Sequence, residues 1–263
     1  MVRDAIVIFD GTFDGFLCVI YDFYYKKISP LVIQSVTDTQ LTLNEDEHHV
    51  TTNTEQAARV LKALHKKISD DAAWRIYYAF LCGETNKYMA IFEYIKMGFR
   101  LEHMVDSHLS VDCVRRVHDL ARHTGREAHL LNGFCRFAET TSGVYYCEIT
   151  PKNDVLSLIA THFTQRFMNQ QWIIHDKRRN QAAIYDGHTY VIATVPSNAT
   201  FVYAEGEQET QELWTAFFNT LAIEARKNPK LQRQLLPLYF RKNMTEFKHR
   251  FETHAKTKLE VVD

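Results

Sequence analysis

The chain has 263 residues, a formal net charge of -1, and 46% hydrophobic and 24% charged residues. This composition is typical of a folded protein with a sizeable core, and it excludes a globally basic nucleic-acid binder, so any nucleic-acid site must be a local patch. The five cysteines form no C-x-x-C pair, which argues against a zinc ribbon or an iron–sulfur cluster.

The sequence also indicates a cellular compartment. Scattered cysteines without framework spacing favour reduced thiols. The N-terminus has no basic region before an apolar run, and no stretch approaches the roughly 18 apolar residues of a membrane span. We therefore expect a cytoplasmic protein without a membrane partner, and we predict no metal and no cofactor.

The N-terminal residues predict a strand followed by a helix. Ala5–Phe9 is apolar and rich in β-formers, and Asp10-Gly11 ends it. The helical stripe that follows is largely aromatic and comprises Phe13, Phe16, Leu17, Ile20, Tyr21 and Tyr24. The Asp-Gly-Thr turn before this helix is a possible anion site, although it lacks both common nucleotide-binding glycine patterns. The simpler interpretation is that Asp10 or Thr12 caps the helix.

The region from Ser29 to Leu101 divides into a polar part and a helical part. Ser29–Val50 is poorly periodic and reads as loop with one or two short strands. Its NEDEHH segment, Asn44–His49, contains residue types that bind metal ions. No further ligand stands at a spacing typical of a metal site, so a solvated loop is favoured. Apolar residues at helical spacing then predict three packing helices, marked by Ala57–Leu64, Ala73–Leu81 and Met89–Ile95.

Ser110–Asp186 holds the highest density of charged groups tied to regular structure. It opens with a long helix whose buried face comprises Val114, Val117, Ala121, Thr124, Ala128 and Leu131. A second stripe one residue further on comprises Arg115, Arg122, Arg126 and His129. These basic side chains flank the buried face, and Gly125 is a point where the helix could break.

Short β-rich runs follow this helix. They are Gly133–Phe137, Val144–Ile149, Trp172–Asp176, Gln181–Gly187 and His188–Val195, with a helix over Asp154–Phe167. Hairpin-like spacing favours antiparallel pairing. We therefore predict an α+β fold with a mainly antiparallel sheet, against which N-terminal and C-terminal helices pack.

The C-terminal region is predicted to be helical. Glu212–Arg226 forms one helix with Leu213, Ala216, Phe217, Thr220 and Leu221 inward, and Lys230–Leu235 forms a shorter one. The chain then divides into a mostly helical part (1–108), an α/β part with a basic groove (109–204) and C-terminal helices (205–263). Because no linker separates these parts, we expect one integrated unit.

Arginine and lysine are the residues that bind phosphate, and aromatic side chains provide platforms for bases. The candidate nucleic-acid-binding residues are Arg122, Arg126, Arg136, Arg166, Arg178, Arg179, Arg226, Lys230 and Arg233, with Arg115 and Lys227 beside them. Arg122, Arg126, Arg136 and Arg166 are expected to line one concavity. Each of these residues also has a simpler interpretation as a solvated charge, and Arg136 as a structural ion-pair partner.

Four further groups are candidates for catalysis. They are His129, His162, Asp176 and Asp10. A histidine beside arginines is suited to general base catalysis near neutral pH, and we place His129 and His162 near the floor of the concavity. The alternative is that both are satisfied, partly buried histidines. No deaminase signature and no G-x-S-x-G elbow occurs in the sequence.

Five sequence words resemble a bacterial family described as DNA-metabolism or DNA-repair proteins. The words are FDGTFDGFL (Phe9–Leu17), REAHLLNGFCRF, YYCEITPKNDVLSLIATHFTQRF, WIIHDKRRNQAAIYDG and IEARKNPKLQRQLLPLYFRKNMTEF (Ile223–Phe247). The first reads YDGTFDGFL in typical members. Members are usually encoded beside a radical S-adenosylmethionine protein, and some are fused to a domain similar to uracil-DNA glycosylases. The resemblance thus implies DNA and a radical S-adenosylmethionine protein as partners, and it assigns no catalytic residue.

Three functions remain open. The first is a DNA-metabolism accessory protein that binds nucleic acid through the arginine-rich groove. The second is an enzyme that processes a base or nucleotide in the same groove. The third is a protein-binding subunit for the radical S-adenosylmethionine partner.

Overall fold

The structure is a computed structural model that describes residues 3–36, 46–196, 199–226 and 228–247. The chain forms two compact units, Met1–Arg126 and Glu127–Asp263, and the boundary between them lies within one long helix. The protein is α+β, as the sequence predicts. No helix in the described ranges is long and apolar enough to cross a membrane.

The first unit contains a small parallel sheet that the sequence analysis did not predict. Its elements are β1 (Arg3–Phe9), α1 (Phe13–Tyr25), β2 (Ile28–Ser35), β3 (Glu47–His49), α2 (Thr54–Lys67), α3 (Asp70–Phe80), α4 (Lys87–Leu101) and the start of α5 (Asp112–Phe134). The strand order is β2-β1-β3, and β1 pairs with both neighbours in parallel. Ala5–Phe9 is continuously buried, as is typical of a central strand of a parallel sheet. Within NEDEHH, Glu47–His49 is strand and not loop, while Asn44 and Glu45 lie outside the described residues.

Polar side chains start the predicted helices of this unit. Thr12 caps α1 by accepting a hydrogen bond from the Gly15 amide, as the simpler interpretation of the Asp-Gly-Thr turn predicts. Asn53 caps α2 and Ser69 caps α3 in the same way. Each cap satisfies an amide that has no partner inside its helix, which explains why these boundaries follow from local sequence.

The second unit is organised on a five-stranded sheet. Its elements are the end of α5, β4 (Ala138–Glu139), β5 (Tyr145–Ile149), α6 (Leu156–Arg166), β6 (Trp172–Asp176), β7 (Gln181–Tyr185), β8 (Tyr190–Thr194), α7 (Glu207–Thr220), α8 (Pro229–Leu235) and α9 (Leu238–Arg241). The strand order is β4-β5-β6-β7-β8. Only β5 and β6 pair in parallel, and the other pairs are antiparallel. The predicted mainly antiparallel sheet is therefore confirmed.

Two local predictions around α5 are wrong. Gly133–Phe137 is not a strand, because α5 continues to Phe134 and the amide of Cys135 still donates to the carbonyl of Leu131. Gly125 does not break the helix. A side chain there would approach the ring of Tyr78, with a Cβ 3.4 Å from Cδ1, so the glycine allows close helix packing.

Alternation along β5 and β6 gives the central sheet two different faces. Cys147, Ile149, Trp172 and Ile174 lie in the hydrophobic core with residues of α6. Tyr146, Glu148 and His175 occupy the alternate positions, and Glu148 and His175 are register partners. One face is therefore apolar and packed, while the other carries a polar network.

The apolar face of α7 is exposed, which contradicts the prediction that it points inward. Leu213 is 72% exposed, Phe217 54% and Leu221 63%. The helical spacing of these residues is real, but no described element of the protein covers them. Apolar periodicity identifies the face of a helix without identifying what packs on it.

The buried carboxylate of Glu127 joins three parts of the second unit. Its oxygens accept hydrogen bonds from the amides of Lys152 and Asn153, at 2.9 and 2.7 Å, and from the Asn153 side chain at 2.7 Å. The Tyr239 hydroxyl on α9 donates to it at 3.1 Å. Glu127 is only 4% exposed, so these four hydrogen bonds replace the water that would otherwise solvate its carboxylate.

We predict that Glu127→Ala lowers the free energy of unfolding by about 3 kcal/mol, because it leaves buried amide donors without an acceptor. Urea denaturation monitored by circular dichroism measures the change. The exposed Glu209→Ala is the matched control and should stay within about 0.5 kcal/mol of the wild type. Equal stability of the two variants would contradict the role assigned to Glu127.

Candidate functional site

Arg136 has a structural role. Its guanidinium pairs with the carboxylate of Glu246, at 2.7 Å from Nη2, and donates to the backbone carbonyls of Gly133 and Cys135. It also lies over the Trp214 ring, 5.2 Å from the ring centroid. Burial opposes ionisation of Glu246, but the hydrogen bond from Arg136 outweighs it and lowers the pKa of that carboxyl. Arg136 is therefore the structural ion-pair partner that the sequence allowed as an alternative.

Asp176 and Arg179 form a second structural pair. Asp176 is fully buried, accepts hydrogen bonds from the amides of Arg178 and Arg179, and pairs with the Arg179 guanidinium at 2.9 Å. Arg179 also donates to the carbonyl of Lys152. The Asp176 carboxylate thus shapes the β6–β7 turn, and its hydrogen-bond acceptors are taken by this turn. The Arg178 side chain is exposed.

The predicted basic stripe on α5 lies on the surface. Arg122 pairs with Asp119 one turn before it, at 2.7 Å, and Arg115 pairs with Asp112. Arg126 and His129 are exposed. In the C-terminal helices Arg226, Lys230 and Arg233 are exposed, while Lys227 lies outside the described residues. These exposed side chains are accessible to a ligand.

Two of the four arginines predicted to share one concavity do line the same cleft. Arg136 and Arg166 border a cleft of about 680 Å³ in the second unit, which we call the Trp172 cleft after the buried residue at its wall. Arg122 and Arg126 belong to the first unit, so the common concavity stays a prediction. His162 is half-buried against the ring of Phe163, and neither it nor His129 lines this cleft.

Asp10 is held in the turn before α1. Its carboxylate accepts hydrogen bonds from the amide and hydroxyl of Thr12 and from the hydroxyl of Thr52, at 2.7 to 2.9 Å. Partial burial opposes the charged form, but these hydrogen bonds outweigh it and lower the pKa of Asp10. The carboxylate therefore occupies the position where an anion would otherwise approach the helix start.

The first unit contains an aromatic and basic pocket that the sequence analysis missed. It has a volume of about 500 Å³. We call it the tyrosine pocket, and its lining residues are Ile20, Tyr21, Tyr24, Tyr25, Arg59, Val60, Ala63, Lys67, Phe99 and Arg100. The tyrosines come from α1, Arg59 and Lys67 from α2, and Arg100 from the last turn of α4.

The rings in this pocket are already arranged for stacking. Tyr21 and Tyr25 stand one helical turn apart and stack with ring centroids 4.3 Å apart and planes at 18°. The guanidinium of Arg59 lies over the Tyr25 ring, 4.8 Å from its centroid. Tyr25 is 53% exposed, an unusual exposure for so large an aromatic side chain.

The charge of the tyrosine pocket is entirely positive. Its lining includes three cationic side chains, those of Arg59, Lys67 and Arg100, and no carboxylate. Within the described ranges none of the three cations forms an ion pair, whereas Arg122, Arg136 and Arg179 each have a carboxylate partner. A protein with a net charge of only -1 thus concentrates positive charge beside the exposed ring of Tyr25.

A signal for this pocket was present in the sequence. Arg59, Ala63 and Lys67 recur at steps of four on α2, so they share one face. Tyr21 and Tyr24 belong to the aromatic stripe predicted for α1, and both are partly buried. The sequence pattern alone does not show that this face of α1 lies beside the basic face of α2.

A polar network lies on the other face of the central sheet. The Tyr146 hydroxyl donates to Glu148 at 3.0 Å and lies 2.8 Å from Nδ1 of His175. His175 is 3% exposed, and its Nε2 is buried without a partner. Burial lowers the pKa of His175, and the charge of Lys177 lowers it further.

This network predicts acid sensitivity. A histidine whose pKa is depressed in the fold binds its proton more readily when unfolded, so its contribution is complete above the ordinary pKa of 6.5 and is lost as the pH falls below it. His175→Gln should therefore lose less stability than the wild type between pH 7.5 and 5. Thermal melts across this range measure the two slopes. An equal loss of stability in the wild type and in His175→Gln as the pH falls would contradict this role of His175.

No cluster of three metal-binding side chains occurs among the His, Cys, Asp and Glu residues that the structure describes.

Comparisons with known proteins identify a family for the chain but assign it no function. A family model described as a domain of unknown function, DUF4130, matches residues 85–246. No curated protein matches. A solved pGpG-specific phosphodiesterase, PggH from Vibrio cholrae, is similar at 9% identity over 84% of this chain and 100% of its own, with a TM-score of 0.33. That similarity is too low to carry an argument.

Proposed function

The chain belongs to the DUF4130 family, and we propose that it binds single-stranded nucleic acid through the tyrosine pocket. The observation that carries this proposal is that three cations with no ion pair among the described residues line a pocket with the stacked rings of Tyr21 and Tyr25, of which Tyr25 is exposed. The DNA-metabolism context implied by the sequence resemblance agrees with this proposal. The surface that we propose lies on α1, α2 and α4, and binding through the arginine-rich α/β stretch stays a prediction.

The chemistry of the pocket matches the two parts of a nucleotide strand. Cations attract the phosphates, and this attraction supplies most of the sequence-independent affinity. Aromatic rings and guanidinium planes stack on bases, which stabilises binding by about 1–3 kcal/mol per base without selecting among them. A base can join this stack of tyrosine rings and the Arg59 guanidinium only if it is unpaired. The geometry therefore favours single strands over duplexes.

Two substitutions separate the stacking from the charge. Tyr25→Ala should weaken binding of a fluorescein-labelled oligothymidine by about 1–3 kcal/mol at all salt concentrations, because it removes the exposed ring. Arg59→Ala should lower the slope of log affinity against log salt by about 0.7, because one phosphate contact is lost. Fluorescence anisotropy across a salt series measures both effects.

Lys62→Ala is the matched control. Lys62 is an exposed cation on α2 that does not line the pocket, so its loss should leave the affinity nearly unchanged. If Tyr25→Ala and Arg59→Ala bind the oligonucleotide as the wild type does, with native circular dichroism, the pocket is not the interface. If instead duplex binds as tightly as single strand, the stacking argument is wrong.

A second candidate function is binding of a protein partner through α7. The observation that favours it is the exposed apolar stripe of Leu213, Phe217 and Leu221. The partner that the sequence resemblance supplies is a radical S-adenosylmethionine protein. Phe217→Ser should abolish co-purification with that protein after co-expression, whereas Glu209→Ala should not. Equal recovery of the partner with both variants would remove α7 from consideration.

A further inference from the structure

The C-terminal helices expose two apolar stripes. The first, which we call the α7 stripe, runs along α7 and its C-cap and comprises Leu213, Phe217 and Leu221. The second, which we call the α8 stripe, runs along α8 into the first residue of α9 and comprises Leu231, Leu235 and Leu238. All six side chains are close to half exposed or more, so neither stripe is covered by the other within the described part of the chain. An exposed apolar surface of this extent is typical of an interaction site.

The two helices carry opposite charges. α7 holds three glutamates, Glu207, Glu209 and Glu212, and no lysine or arginine. α8 holds Lys230 and Arg233, and no aspartate or glutamate. Both cations and the last two glutamates are exposed. One chain therefore presents an acidic helix and a basic helix, each beside an uncovered apolar stripe, and these two surfaces are complementary.

Complementary surfaces on one chain favour the association of two copies. In a dimer with two-fold symmetry every contact occurs twice, so α7 of each copy can pack on α8 of the other. Both contacts then bury apolar stripes and bring glutamates near cations, whereas pairing of α7 with α7 would offer no cation of α8 to these glutamates. An interface of standard size uses about 20–30 residues on each side, and residues 207–238 are enough to supply them.

We infer that the chain forms a symmetric homodimer in which α7 of each copy packs on α8 of the other copy. This dimer uses only the second unit and none of the residues of the tyrosine pocket, so strand binding and dimerisation can fail independently. It gives the α7 stripe a second copy of this chain as its occupant. The protein partner of the second candidate function would then have to displace that copy.

Sedimentation equilibrium of the full chain, without any other protein, tests the dimer. With rising concentration the mass of the wild type should approach twice the 30.8 kDa of one chain. Phe217→Ser and Leu235→Ser should each raise the dissociation constant at least about tenfold, because each removes an apolar side chain from both symmetric contacts. Met168→Ser is the matched control, because Met168 is an exposed apolar residue of the same unit outside both stripes, and it should dimerise as the wild type does.

Two charge-reversed variants test which helices meet. Glu209→Lys with Glu212→Lys makes α7 basic, and Lys230→Glu with Arg233→Glu makes α8 acidic. Each variant alone should be monomeric, because α7 and α8 then carry charge of the same sign. An equal mixture of the two should form a heterodimer, because in both contacts α7 then meets an α8 of opposite charge. Raising the salt concentration should weaken these effects, since exposed charges are screened beyond about 10 Å at 0.1 M salt.

Circular dichroism identifies any variant that fails to fold, and all the substituted positions are exposed. A wild type that stays monomeric at every concentration would overturn the inference, and the α7 stripe would then be left to the protein partner of the second candidate function. Equal dissociation constants for the wild type, Phe217→Ser and Leu235→Ser would also overturn it. So would a mixture of the charge-reversed variants that stays monomeric, because α7 of one copy would then not meet α8 of the other.

Discussion

The second unit depends on one buried carboxylate, that of Glu127. Burying a carboxylate is expensive unless hydrogen bonds replace its water, and here four donors from the segment after β5 and from α9 do so. Because Glu127 stands one and a half turns before Asn132 on the same helix, these bonds also determine where the end of α5 lies. Asn132 and Arg136 reach the Trp172 cleft for this reason. The same interaction that closes the core thus positions one wall of the Trp172 cleft.

A comparable constraint operates at the start of the first unit. A Cβ on Gly15 would lie 2.1 Å from Oδ1 of Asp10, so only glycine allows the first turn of α1 to pack against that carboxylate. Asp10 in turn accepts from Thr52, and Asn53 caps α2 directly after it. This chain of polar contacts joins the starts of α1 and α2. The tyrosines of α1 and the cations of α2 consequently line one pocket.

The tyrosine pocket and the Trp172 cleft differ in how their charges are paired. In the Trp172 cleft Arg136 is matched by Glu246, whereas Arg166 has no ion pair among the residues that the structure describes. In the tyrosine pocket three cations stand without a carboxylate. The repeated phosphates of a nucleic-acid strand suit the second arrangement, which is the one that the proposed function uses. The net charge of the whole chain reveals neither arrangement, because it sums over all the charges of the protein.

The sequence alone determined the local features of this protein. The capping residues Thr12 and Ser69, the helical stripes of α2 to α5 and the antiparallel pairing of β6 with β7 all depend on neighbours a few residues away. It also determined the α+β class. These features were predictable because helix capping, periodicity and short turns are short-range interactions.

Only the tertiary structure decided which charges are free. Arg136 is paired with a glutamate 110 residues away, and nothing near either residue indicates the partner. The exposed face of α7 and the parallel β2-β1-β3 sheet are likewise products of long-range packing. A periodic pattern states which face of an element is apolar or basic. Which other face it meets depends on contacts between distant segments, and these decide whether an arginine stabilises the fold or remains available to a ligand.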